Sequence, residues 1–275
     1  MSSVTEKPGF QHIRIKKLHP TFGAEVSGVD FSKEIPSEVF DEILEALIKY
    51  AVCVYRDTGL DDRRHVEFST RFGELDDIKP YLTIETGGNT DFADTRTAYD
   101  ELPKYTKEKL LKEDYVVAHS LHHSRKIAVP EFFKDLDPRS IKMSKHKLLQ
   151  VHEPSGRMNL YIASHAHHIE GLPEEQSDSL LGELMVHCTQ GKYTFSVQWR
   201  QAGDLIIWDN TCCMHRSGTF EGGYVRDMRR TTVHDGSSMA WGMNREGERK
   251  QRFTVDRMGM MPERDSWDER DKVVV

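Results

Sequence analysis

The chain has 275 residues, enough for one large domain or two small ones with a sizeable core. Its formal net charge is -7 and its basic residues are scattered, which speaks against a nucleic-acid surface. No apolar run reaches membrane-spanning length and the N-terminus lacks an apolar signal core, so no membrane association is expected and a cytoplasmic protein is.

The four cysteines (Cys53, Cys188, Cys212 and Cys213) form no CxxC pair, and reduced thiols are the default expectation. Fourteen histidines raise the question of a metal without answering it.

Residues 10–31 read as short strands and turns, with Ile13 and Ile15 alternating with Arg14 and Lys16. A helix follows Pro36, with Ser37 as its expected N-cap and Val39, Phe40, Ile43, Leu44 and Leu47 on one face. Ala51 to Tyr55 suits a buried strand. Asp61 to Phe72 predicts a second helix, ended by Gly73. Strand-like Asp91-Phe92-Ala93 precedes a helix predicted over about 98–112, and Tyr115-Val116-Val117 is strand-like again. The stretch to about residue 158 reads as loop-rich and rich in histidine. Asn159 to Ala163 suits a strand, and a helix is predicted from Pro173 to about His187 with Leu180, Leu181, Leu184 and Met185 buried. Thr194 to Val197 and Leu205 to Trp208 read as strands. From Asn244 onward apolar residues thin out and opposite charges mix, giving a domain over 1–243 and a charged tail over 244–275.

The chemistry gathers near the C-terminal end. His215 follows the apolar strand ending at Trp208, and Glu221-Gly222-Gly223 signals a turn. That turn predicts a returning strand over Tyr224 to Val233, on which Arg226, Met228 and Arg230 share a face. A guanidinium grips a carboxylate as a planar fork, and neutral imidazole ligates Fe(II) or Zn(II). Taken alone, such a histidine is more often structural, and such arginines are usually solvated or paired with neighbours such as Asp227.

Gly203 to Asn210, then His215-Arg216, then Arg226-x-x-x-Arg230 resembles the C-terminal signature of the TauD/TfdA family of Fe(II)- and 2-oxoglutarate-dependent dioxygenases. Gly23 to Asp30, the run Arg71 to Leu75, Gly87 to Thr95 with Ala98-Tyr99 and Leu102-Pro103, and His119 to Arg125 resemble it too. The nearest likeness is to fungal proteins described as 2,4-dichlorophenoxyacetate dioxygenase-like, and it covers the chain to about residue 243. The resemblance implies a mainly β fold with flanking helices, a double-stranded β-helix or jelly roll, complete or short of some strands. It also implies Fe(II) as cofactor, 2-oxoglutarate as co-substrate, and a small anionic organic substrate, with a homo-oligomer left open. His215 matches the distal iron ligand, and Arg226 the arginine that binds the far carboxylate of 2-oxoglutarate. Thr90 matches the threonine that assists there, Arg230 the arginine that meets the anionic end of the substrate, and Trp208 and Asn210 the scaffold near the site.

The family's iron sits on two histidines and one carboxylate, two of which come from a His-x-Asp motif between the "FGEL" and "GGxT" runs. Here only Asp76 to Thr86 separates those runs, and the chain contains no His-x-Asp. His65-Val66-Glu67 and His168-Ile169-Glu170 are His-x-Glu sequences outside that interval. Asp77, Glu85, Asp91 and Asp94 flank it and offer a carboxylate without a paired histidine. Two further readings therefore stand beside the dioxygenase. One is a non-catalytic relative that binds an anion or an active homologue. The other is a zinc or other metal site built from His165, His167 and His168.

Overall fold

The structure is a computed structural model, and it describes residues 9–76, 88–218 and 228–245. Strands β1 (Arg14–Lys17) and β2 (Ala24–Ser27) pair antiparallel and are followed by helix α1 (Ser37–Tyr50). Pro36, not Ser37, caps α1, so Ser37 is its first helical residue and makes no cap bond. Strand β3 (Val52–Tyr55) leads to α2 (Asp62–Thr70), which Asp61 caps by accepting from Arg64 N. Strand β4 (Asn89–Asp94) runs into α3 (Thr95–Asp100) and α4 (Lys104–Glu113). The single helix expected over 98–112 is thus two, because Pro103 disfavours helical backbone at Leu102 and opens α4 instead.

The stretch expected to be loop-rich holds more regular structure than its sequence pattern suggested. After β5 (Val116–His119), which matches the strand-like Tyr115-Val116-Val117, it contains α5 (Leu121–Ala128), β6 (Ser144–Lys147) and the hairpin β7 (Leu149–His152) and β8 (Arg157–Leu160). Beyond it lie β9 (Ala166–Ile169), α6 (Glu174–Cys188), β10 (Thr194–Gln198), β11 (Leu205–Trp208) and β12 (Cys213–Ser217). Along α6 the buried residues are Ser177, Leu181, Leu184 and Cys188, with Leu180 and Met185 only partly covered.

Two sheets position the candidate site: β1-β2-β3-β11 and β10-β4-β12. Strand β3 is buried on both faces, which is why it reads as an unbroken apolar run. Its Cys53 and Tyr55 pack toward α1 with Ile43 and Phe40, while Val52 and Val54 pack between the sheets with Phe22, Phe92, Val197 and Ile206. Gly23 sits where the sheets approach, with φ +71°, and a Cβ there would strike the ring of Phe195. A third core forms under α6, where Leu181 and Leu184 meet Val117, Leu148, Leu160 and Ile169.

Among the described residues the neighbour of β12 is β4, in the register His215↔Phe92 and Ser217↔Thr90, while the expected returning strand over Tyr224 to Val233 begins outside them. In the described part of that segment, Val233 makes only an isolated bridge to Leu75. The turn at Glu221 to Gly223, Arg226, Asp77, Glu85 and the tail beyond Arg245 lie outside the described residues. Asn244, placed in the tail by sequence, packs back on the domain: its Nδ2 donates to Lys145 O at 3.1 Å.

Candidate functional site

Alternation along paired strands puts Thr90, Phe92 and Asp94 of β4 on the same face as Ser217, His215 and Cys213 of β12. That face looks toward β11. The His215 ring lies 4.9 Å from Trp208 and 6.4 Å from Phe92, centroid to centroid. The Arg230 guanidinium stands 5.3 Å from the centre of the Trp208 ring, a cation–π distance. Trp208 thus bridges His215 and Arg230, and its indole N–H donates to Asn210 Oδ1 at 2.7 Å. Thr90 is buried, and Trp199 Nε1 donates to its hydroxyl oxygen at 3.1 Å.

The imidazole of His215 keeps one side open at the sheet edge, yet the protein packed around it lowers its pKa to about 4, with Arg230 and His165 adding like charge. It is therefore neutral at ordinary pH, as a metal ligand must be. Among the site residues expected from sequence, the structure brings together Thr90, His215 and Arg230.

The turn Trp208–Cys212 that feeds β12 is anchored from three elements. Thr95 Oγ1 of α3 donates to Cys212 O at 3.0 Å, and Asn159 Nδ2 of β8 donates to Thr211 O at 2.5 Å. His152 Nε2, at the end of β7, meets Asp209 Oδ2 at 2.9 Å. None of these anchors carried a local sequence signal, because each joins residues more than 50 positions apart.

The histidines 165, 167 and 168 do not converge. His165 turns to His119, ring centroids 4.9 Å apart, whereas His167 lies 4.8 Å from His123 and its Nδ1 is 2.9 Å from His168 Nδ1. His165 precedes β9 and turns to the His119 side, which separates it from the other two. A three-ligand metal centre from those residues is not what the structure forms. Around His215, too, no group of three ligating side chains forms among the described residues. Among the described residues, no second histidine and carboxylate join His215 in such a set.

The architecture is that of a jelly-roll oxygenase. The family "Taurine catabolism dioxygenase TauD, TfdA family" matches residues 81–232, more than half the chain, and the protein belongs to it. Members depend on Fe(II) and 2-oxoglutarate. The chain is 37% identical over 148 residues to the alpha-ketoglutarate-dependent 2,4-dichlorophenoxyacetate dioxygenase of Burkholderia sp. (strain RASC), covering 54% of this chain and 49% of that protein. It thus spans about half the length of that relative. To the enzyme of the same name from Cupriavidus pinatubonensis it is 26% identical, over 79% of this chain and 96% of the other. The crystal structure of AAD-2 with Mn(II) and N-oxalylglycine superposes with a TM-score of 0.73 at 31% identity, covering 82% of this chain and 99% of that one. N-Oxalylglycine is an analogue of 2-oxoglutarate.

Proposed function

We propose that the protein is a 2-oxoglutarate-dependent dioxygenase acting on a small anionic organic molecule, by hydroxylation or oxidative cleavage with release of succinate and CO2. The observation that carries this reading is the placement of Thr90 and His215 on one face of adjacent strands, with Arg230 joined to them through Trp208. In this reading Arg226 holds the far carboxylate of 2-oxoglutarate by a bidentate fork and the Thr90 hydroxyl steadies the same molecule. The neutral imidazole of His215 offers its lone pair, and Arg230 attracts the acidic end of the substrate. Trp208 and Phe92 wall the site with apolar surface, which strengthens those charge contacts by excluding water. Bound iron would supply the activation of oxygen.

A second reading, a non-catalytic relative that still binds an acid, rests on the lack of His-x-Asp. It also rests on the alignment with the Cupriavidus enzyme, which runs over 279 positions while using only 79% of a 275-residue chain. That relative therefore has many positions with no counterpart here, and we place part of the loss at the shortened passage from Asp76 to Thr86. Succinate formation with Fe(II) and 2-oxoglutarate separates the two. Repeated turnover supports the dioxygenase. No succinate, together with calorimetric 2-oxoglutarate binding that is the same with and without Fe(II), leaves only the non-catalytic binder.

A further inference from the structure

The turn that feeds β12 holds three side chains of metal-binding type. The ligand atoms of His152, Asp209 and Cys212 all lie within 4.8 Å of one another. His152 and Cys212 are almost wholly buried, while the Asp209 side chain keeps 20% of its surface open, which provides a route from solvent.

Each of the first two ligands is held from behind. His152 Nδ1 is 2.6 Å from Ser155 Oγ, which fixes the ring so that Nε2 points at Asp209. Asp209 Oδ1 accepts from Thr211 N at 2.8 Å and from Thr211 Oγ1 at 2.6 Å, which leaves Oδ2 pointing at His152. This is the outer support that metal-bound imidazoles and carboxylates carry. Although burial pushes it up, the bonds from His152 and Thr211 keep the Asp209 carboxyl below its usual range, so it is ionised at neutral pH.

A second observation comes from Arg96. Its side chain is fully buried, its Nε donates to Asp94 at 3.0 Å and its Nη1 to Ile48 O at 2.8 Å, but its Nη2 has no hydrogen-bond partner. Cys212 lies near enough to this guanidinium to act on its charge, which places the open donor beside the cluster. Its charge is balanced by Asp94, so what Nη2 lacks beside the cluster is a hydrogen-bond acceptor and not an anion.

We propose that His152 Nε2, Asp209 Oδ2 and Cys212 Sγ form a zinc site, distinct from the His215 pocket, that staples the turn leading into β12. One nitrogen, one oxygen and one sulfur suit Zn(II), which accepts all three donor types in a tetrahedral set. Binding releases the thiol proton of Cys212 to solvent; the imidazole keeps its one proton on Nδ1, facing Ser155 Oγ, so that Nε2 offers its lone pair, and water from the Asp209 side takes the fourth position. No oxidation or reduction is involved.

The test uses the full chain, stripped with a chelator, loaded with Zn(II) and desalted, with metal measured by elemental analysis. Wild type and His215→Ala should each retain one zinc per chain, and Cys212→Ser should retain at most a tenth of that. Co(II) loading of wild type reads the sulfur directly: a thiolate-to-cobalt charge-transfer absorption should appear, and should be missing in Cys212→Ser. That spectrum decides the matter even where a variant folds poorly. Folded wild-type protein that holds no zinc, or whose Co(II) form lacks the thiolate absorption, overturns the proposal. So does loss of zinc in His215→Ala, which would place the metal in the other pocket. The result is independent of whether the protein produces succinate.

Discussion

The turn Trp208–Cys212 and the strand β12 that follows it are adjacent in sequence but differ in how they are held. Thr95, Asn159 and His152 tie the turn to three elements through buried bonds. Strand β12 pairs on one side only among the described residues, and His215, Arg216 and Ser217 are exposed along it. The anchored turn therefore sets the direction in which the open strand leaves it.

The sharpest way to break this contrast is at the buried ion pair beneath the turn. Arg96 and Asp94 are both fully buried, and Asp94 also accepts from Thr97 Oγ1 at 2.6 Å. Arg96→Leu strands that carboxylate and should cost about 3–5 kcal/mol in urea unfolding. A loss under about 1 kcal/mol would show that Arg157, 3.9 Å from Asp94, is sufficient compensation.

Asn159→Ala comes next. It removes the bonds to Thr211 O and to Thr95 Oγ1, of which Thr95 keeps its bond to Cys212 O, so about 1–3 kcal/mol should be lost. If the turn is the lever that aims β12, this variant should also weaken 2-oxoglutarate binding, although Asn159 is remote from the proposed ligand contacts.

His215→Gln probes the opposite side of the contrast. At an open strand edge it should change stability by no more than about 0.5 kcal/mol. Calorimetry with Fe(II) and 2-oxoglutarate should nevertheless register a clear loss of affinity. A variant that unfolds but still binds would invert the assignment of roles.

The smallest effect is the pH dependence of that residue. Because its folded pKa, about 4, lies below the ordinary value of 6.5, the unfolded chain takes up the proton first as pH falls. Its contribution is thus fully present above pH 6.5 and lost on acidification toward 4. Wild type should lose more stability than His215→Gln between pH 7 and pH 5, by at most about 0.5 kcal/mol since the ring is partly in water. Parallel curves would mean that the packing around the imidazole does not perturb it.

Much of this was legible in the sequence where one local rule governed. The apolar run of β3, the helical stripes of α1 and α6, and the placement of β4, β10 and β11 followed from periodicity. The family signature predicted the fold. Strands β6 and β9 were hidden because Ser-Lys-His-Lys and Ala-His-His-Ile carry no alternating apolar pattern; their pairing with β5 makes them strands. The break at Pro103 could have been anticipated from the restriction that proline places on its predecessor. The neighbour of β12 could not, since a turn signal says that the chain reverses and not which strand it will lie beside. For the same reason the zinc-type cluster was invisible: His152 is 57 residues from Asp209, and only the fold brings them together.

The edge of β12 has a consequence for handling the protein. Exposed strand edges invite further strands, and natural sheets deter this with charge. Here the deterrent is Arg216, 82% exposed and held out along the edge by Asp91 at 2.9 Å. Among the described residues, that guanidinium is the charge that stands along this edge. Conditions that mask it, such as polyanions or high salt, are those under which the preparation should first turn cloudy.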